Sequence, residues 1–255
     1  LIIIAVVLVA AFGIGAYFYN SSKKSGTRAT TNANTNRQAA NVATIPANAP
    51  PGAQPPNFLG SPAATVTIEE FADYQCGACA QIHPIMKQLQ SMYSSRIRFV
   101  FRNFPLSSHD KAYDAAAAAE AAGLQGSDKY WAMQNMLFTN QREWSAPNSN
   151  HRQLFRSYAE KIGLDAGRWE TDALGLQSRN RVQADLDRGR AIGVSSTPTI
   201  YINGKMVPYP DMNLQTLRQI VDSELQASAP QNQSAQPARP AAPAPGGSES
   251  APANK

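Results

Sequence analysis

Cysteine is nearly absent from this 255-residue chain: there are two, Cys76 and Cys79, separated by only two residues. A structural disulfide gains its effect by closing a long loop, so a Cys-x-x-Cys bridge would staple almost nothing. The use of such a pair lies in reactivity or in metal binding. Histidine is scarce too, with His83, His109 and His151 the three present. No His-x3–5-His spacing completes the four ligands that a structural zinc site needs, and only His83 stands near the cysteines, so no metal is expected. Acidic residues are missing from residues 1–60, which carry Lys23, Lys24, Arg28 and Arg37. That stretch and a tail with Arg239, Glu249 and Lys255 account for the whole net charge of +5, leaving the middle neutral. A nucleic-acid binder places its excess charge on the folded domain, so that class is excluded.

Charge is also lacking from Leu1 to Tyr19, an apolar run close to the ~20 residues that cross a bilayer as a helix. It reads as a transmembrane anchor, with a cleaved signal segment as the competing reading. The sequence starts at Leu1 rather than Met, so residues upstream are expected. Large apolar side chains become rare from residue 20 to 60 and again from 227 to 255, where Thr, Asn, Ala, Pro, Gln and Ser dominate. Both stretches are expected to be disordered, because little burial is on offer against the entropy of ordering them. One folded domain is therefore expected over 61–226, large enough for a real core.

Within it, Thr65–Phe71 is rich in β-branched residues and reads as a strand, followed by a helix over Ala80–Tyr93 with apolar spacing at Ile82, Ile85, Met86 and Leu89. Arg96–Arg102 alternates charged and apolar residues as a half-buried strand does. A helical block fills about 109–192, in five pieces: Lys111–Ala122, Lys129–Phe138, Asn150–Lys161, Asp165–Ala173 and Ser178–Ile192. Tyr130, Trp131, Met133, Met136 and Phe138 read as core, His151 as a residue on a solvated helix face. Thr199–Ile202, Asn203-Gly204 and Met206-Val207 form a hairpin signature, and Asn213 caps a last helix. The order is α/β: strand, helix, strand, helical insert, hairpin, helix.

Cys76-Gly-Ala-Cys79 falls between the first strand and its helix, which puts Cys76 at a helix N-terminus. Unpaired backbone N–H groups and the helix dipole favour an anion there. A thiol pKa falls from ~8.5 to ~3.5–7.5 in such places. Cys76 is expected to be the nucleophile. Cys79, one turn inward, is expected to close the redox-active disulfide Cys76–Cys79, with no other cofactor.

Three ordered motifs, Glu70-Phe-Ala-Asp-Tyr-Gln-Cys-Gly-Ala-Cys79, Phe104-Pro-Leu-Ser-Ser-His109 and Gly193-Val-Ser-Ser-Thr-Pro-Thr199, resemble the DsbA-like thiol–disulfide oxidoreductases, in particular their membrane-anchored or secreted bacterial members. The resemblance implies a thioredoxin-like fold with its helical insertion between the second strand and the cis-proline strand. It implies a cis bond between Thr197 and Pro198, and a loop there that lies against the cysteines and pairs with a substrate peptide as an added strand. It also implies that Glu70 is a buried acid under the active site, able to take the proton of Cys79. Glu69 then faces the other way. For His109, a capping or packing role is expected rather than a catalytic one. The central Gly77-Ala78 departs from the enterobacterial Pro-His, so no cation from that dipeptide stabilises the Cys76 thiolate.

The resulting expectation is an extracytoplasmic, monomeric oxidase of newly translocated proteins with free cysteines, tethered to the cell membrane, periplasmic or extracellular, and reoxidised by a membrane quinone-linked partner. The alternatives are a reductase of the same fold fed by a membrane electron carrier, and a non-catalytic peptide-binding chaperone.

Overall fold

A computed structural model describes residues 43–229. The expected anchor at 1–19, the linker over 20–42 and the tail beyond 229 lie outside the described residues. Among the described residues, no helix is long and apolar enough to cross a membrane.

Five strands form one mixed sheet in the order β1-β3-β2-β4-β5. They are β1 Asn57–Gly60, β2 Val66–Ala72, β3 Ile97–Asn103, β4 Thr199–Ile202 and β5 Lys205–Val207. β2 and β3 are parallel, with Val66 opposite Ile97 and Ala72 opposite Asn103. Parallel neighbours need a crossover, and α1 (Gly77–Tyr93) provides it. β4 runs antiparallel to β2, so that Phe71 sits opposite Thr199. The tight Asn203-Gly204 turn, both residues at positive φ (47° and 74°), folds β5 back on β4.

The insert between β3 and β4 holds six helices: α2 Ala112–Gly123, α3 Ser127–Thr139, α4 Gln141–Trp144, α5 His151–Lys161, α6 Ala166–Leu174 and α7 Leu176–Ala191. The chain ends its described part in α8, Leu214–Ala227. The expected helices match these within a few residues, and α4 is the piece that periodicity missed, since one turn is too short to show a period. Tyr130, Met133 and Phe138 of α3 are buried, with Trp131 and Met136 packed against the core. His151 differs from its expected solvated face. Its ring is partly buried against Phe155 and bonds Asp114 at 3.0 Å.

The expected linker ends too late. Residues 43–60 are an ordered part of the domain: Ile45 N–H donates to the Gly204 carbonyl at 2.8 Å, Ala53 is fully buried, and Asn57–Gly60 is the edge strand β1. Composition missed this because much of the segment is held through main-chain groups, with few large side chains of its own. Arg188 donates to the Pro50 carbonyl (2.6 Å), Arg102 to those of Pro51 (3.0 Å) and Ala53 (3.2 Å), and Arg181 to those of Gln54 and Pro55. Those guanidinium groups are fixed in turn by acids. Arg102 pairs with Glu69 (2.7 Å) and Asp185 (3.0 Å), Arg188 with Glu69, and Arg181 with Glu120. Burial pushes the Glu69 carboxyl up, but Arg188 and Arg102 outweigh it and hold it below the usual range.

Helix α7 comes close enough to the sheet for these contacts because position 189 has no side chain. A Cβ on Gly189 would meet Phe104 ring carbons at 2.5 and 2.6 Å and the Phe71 ring at 3.1 Å. Alanine is favoured over glycine in a helix interior by about 1 kcal/mol. Here the sign reverses. Gly189→Ala is expected to destabilise the domain by about 1–3 kcal/mol through overpacking, as read from urea unfolding midpoints, with a fall in stability distinguishing this from ordinary helix propensity.

Candidate active site

β2 is buried on both faces, and its alternation assigns the two acids to different environments. Glu69 meets the arginines behind the sheet, while Glu70, 3% exposed, points to the opposite face, where burial alone pushes its carboxyl up to about 8. β2 ends at Ala72 and the chain turns through Asp73, Tyr74 and Gln75 into α1, whose N-cap is Cys76 in an extended conformation (φ −72°, ψ 122°). No side chain caps this helix end. Its free N–H groups are therefore open to a negative charge on the cap residue's own sulfur.

The turn is held by Asp73, which is almost fully buried. Its carboxylate accepts from Gln75 N–H (2.6 Å), Leu106 N–H (2.8 Å) and His109 Nδ1 (2.7 Å), while its carbonyl accepts from Cys76 N–H (3.1 Å). Gln75 adds bonds to Asp110 (2.8 Å) and the Lys111 N–H (2.8 Å). His109 thus packs on the turn that carries Cys76. From the far side, the side-chain amide of Gln141 in α4 donates to the carbonyls of Tyr74 (2.7 Å) and Cys76 (2.8 Å). Asp73, Gln75 and Gln141 were not singled out in the sequence. Asp73 lies inside the recognised motif, whereas nothing in the sequence marks Gln141.

The two cysteines are free thiols in unequal surroundings: Cys76 is half-buried and Cys79 is fully buried. The Thr197–Pro198 bond is cis, and the Thr197 carbonyl lies 3.4 Å from Cys76 Sγ. The loop and the cysteine pair, 121 residues apart in sequence, are therefore in contact. The Cys76 thiol is pulled down to about 5, first by the Cys79 S–H donating to it, with burial opposing and the N–H groups of Cys79 and Ala78 adding to the pull. Cys79 moves the other way. Burial raises it well above the ordinary thiol range, and its bond to Cys76, the Cys76 charge and the Glu70 charge add to that. The missing cation at Gly77-Ala78 is thus replaced by neutral donors. His83 stacks on Phe138 (4.7 Å between centroids), contacts Asn135, and burial lowers it to about 4.

Two clefts flank the first turn of α1. One, of about 270 Å³, is lined by Ala78, Ile85, Pro198, Tyr209 and Met212, and Tyr209 is 62% exposed. The other, of about 490 Å³, runs between Gly77 and Ala80 and the Asn140–Glu143 turn of the insert. Gln81 borders both.

Comparison with known proteins agrees with this architecture. The profile of the family described as "Thioredoxin" matches residues 53–223. Among curated proteins, the chain is 34% identical over 151 residues to Na(+)/H(+) antiporter NhaA 1 of Mycolicibacterium gilvum, a match that covers 57% of this chain and 23% of that one. It is 27% identical over 171 residues to the probable disulfide bond formation protein D of Bacillus anthracis, covering 66% of this chain and 77% of that protein. The chain spans between 21% and 24% of the length of the antiporter relatives it matches. Among solved structures, oxidised BdbD from Bacillus subtilis superposes with a TM-score of 0.58 at 23% identity, over 67% of this chain and 93% of that one. The thiol-disulfide exchange protein alpha-DsbA2 from Wolbachia pipientis gives 0.57 at 21% identity, over 65% and 85% of the two chains. This chain belongs to the thioredoxin family.

Proposed function

We propose that the chain is an extracytoplasmic thiol–disulfide oxidoreductase that oxidises cysteine pairs of translocated proteins, with Cys76 Sγ as the point of exchange. One observation carries the reading: Cys76 is half-exposed and held down to about 5, while the buried Cys79 beneath it is held up. Stabilising a thiolate stabilises the dithiol state relative to the disulfide, and that makes the pair an oxidant. The printed name of the Bacillus anthracis relative, a disulfide bond formation protein, points the same way.

The steps follow from the geometry. Starting from the Cys76–Cys79 disulfide, a substrate thiolate attacks Cys76 Sγ, the bond to Cys79 breaks, and a mixed disulfide forms. The departing Cys79 thiolate takes a proton, and Glu70, whose carboxyl stays protonated up to about pH 8, is the donor under the site. A second substrate thiolate then attacks the substrate sulfur of the mixed disulfide and releases Cys76, a good leaving group because its thiolate is stable. The substrate has lost two electrons to the cysteine pair. A membrane quinone-linked partner removes them, and Glu70 takes back a proton from Cys79. The substrate segment lies along Thr197 and Pro198, where proline offers no N–H to compete for the sulfur and the Thr197 main chain is free to pair with an extended peptide. The apolar run at 1–19 supports a tether that keeps the domain at the outer face of the cell membrane, periplasmic or extracellular. The domain is proposed to work as a monomer, with its redox-active disulfide as the sole cofactor.

Trapping tests the route. With Cys79→Ser, a reduced unfolded substrate carrying a single cysteine, supplied to the protein with Cys76 activated as a mixed disulfide, is expected to accumulate as an adduct on Cys76, visible by non-reducing electrophoresis. Cys76→Ser is expected to yield no adduct and no turnover. An adduct on Cys79 instead would reverse the assignment.

Glu70 leaves a signature in stability. Its carboxyl loses a proton near 4.5 in the unfolded chain but near 8 in the folded one, so the unfolded state is increasingly favoured as pH rises between those values. Glu70→Gln removes this cost. Its stability advantage over the parent is expected to widen across that window and level off above pH 8, while thiol exchange slows. Parallel urea curves at the two ends of the window measure it, and a constant difference would contradict a buried, protonated Glu70.

A further inference from the structure

The first turn of α1 depends on a residue that the exchange steps do not use. Between β2 and α1 the chain leaves the sheet, so its carbonyls lose strand partners and must find others. The Cys76 carbonyl accepts from Ala80 N–H (3.1 Å) inside the helix. Gln141 reaches it as well, at 2.8 Å, and takes the Tyr74 carbonyl at 2.7 Å. One amide nitrogen has two protons, and both are used here, one for each carbonyl flanking Gln75.

The support behind Gln141 is rigid. It opens α4, a single turn pinned by Trp144, which is fully buried and donates its indole N–H to the Leu137 carbonyl at 2.7 Å. Asn140, just before it, bonds the Met136 carbonyl at 2.8 Å. Gln141 is therefore a fixed strut from the helical insert to the backbone of the nucleophile.

We propose that Gln141 is a positioning residue for the Cys76 thiolate, a role that rests on Cys76 being the exchange sulfur. The strut acts in two ways. It fixes the peptide unit after Cys76, and with it the aim of the Ala78 and Cys79 N–H groups that stabilise the sulfur. It also sets an amide proton against the Tyr74 carbonyl oxygen and adds a second donor, beside Ala80 N–H, to that of Cys76, which reduces the negative partial charge facing an anion in a partly desolvated site. The helical insert thereby sets the acidity of a cysteine that belongs to the thioredoxin core.

The test is the pH dependence of alkylation of the first-reacting thiol in the reduced full chain. The parent midpoint is expected at about 5. Gln141→Leu keeps the volume and loses both donors, and its midpoint is expected to rise by roughly one pH unit. Gln141→Glu, isosteric with acceptors in place of donors, is expected to rise at least as far. Gln141→Lys restores donors and is expected to stay at or below the parent value. Unchanged midpoints in the Leu and Glu variants overturn the proposal, and so does an equal rise in Leu and Lys, which marks a packing role. Should the Leu variant fail to fold, the opposite shifts of Glu and Lys decide the matter. A parent midpoint near the ordinary thiol value of 9 is a separate failure, because it removes the reading of Cys76 on which the role of Gln141 rests.

Discussion

A sulfur anion at the open end of a helix is the constraint around which this domain is arranged. A half-buried thiolate pays a desolvation cost that only nearby donors offset. At Cys76 those donors are the Cys79 S–H and two main-chain N–H groups. None carries a charge. Each must be held in place, and the rest of the structure does the holding: α1 aims the N–H groups and buries Cys79, β4 brings in Thr197 and Pro198, and the Asp73 carboxylate fixes the turn that leads into the cap.

The same constraint explains the unequal treatment of neighbouring acids. Glu69 and Glu70 are adjacent in sequence and both buried, yet one is paired and ionised while the other is unpaired and shifted up. The paired acid anchors Arg102 and Arg188, which clasp the carbonyls of residues 50–53 and bring the segment that precedes the sheet onto its back. The unpaired one is free to hold and release a proton beneath Cys79. A two-residue repeat along one strand separates a paired carboxylate from an unpaired one.

Much of this was legible in the chain. Cys76-Gly-Ala-Cys79 between a strand and a helix, Glu70 on the preceding strand and Thr197-Pro198 before another strand pointed to one candidate site, because each is a local pattern with a local physical reason. What could not be read falls into two kinds. The ordered segment 43–60 looked like linker because its attachment runs through backbone carbonyls, and composition counts only side chains. Asp73, Gln75 and Gln141 act through hydrogen bonds whose partners lie 33–67 residues away or in short turns, and no periodicity records such pairs. The neutral donors at Cys76 were equally hidden. The absent Pro-His cation suggested a weaker thiolate, whereas the folded chain supplies the Cys79 S–H and main-chain N–H groups of the first helical turn.

The central claim is that the fold favours the reduced pair by stabilising the Cys76 thiolate, and so drives electrons from substrate to enzyme. The most direct measurement is the equilibrium of the Cys76–Cys79 couple with a glutathione buffer. The account predicts a reduction potential above about −180 mV, that of a protein oxidant. A value near thioredoxin's ~−270 mV would contradict it and make the same site a reductant.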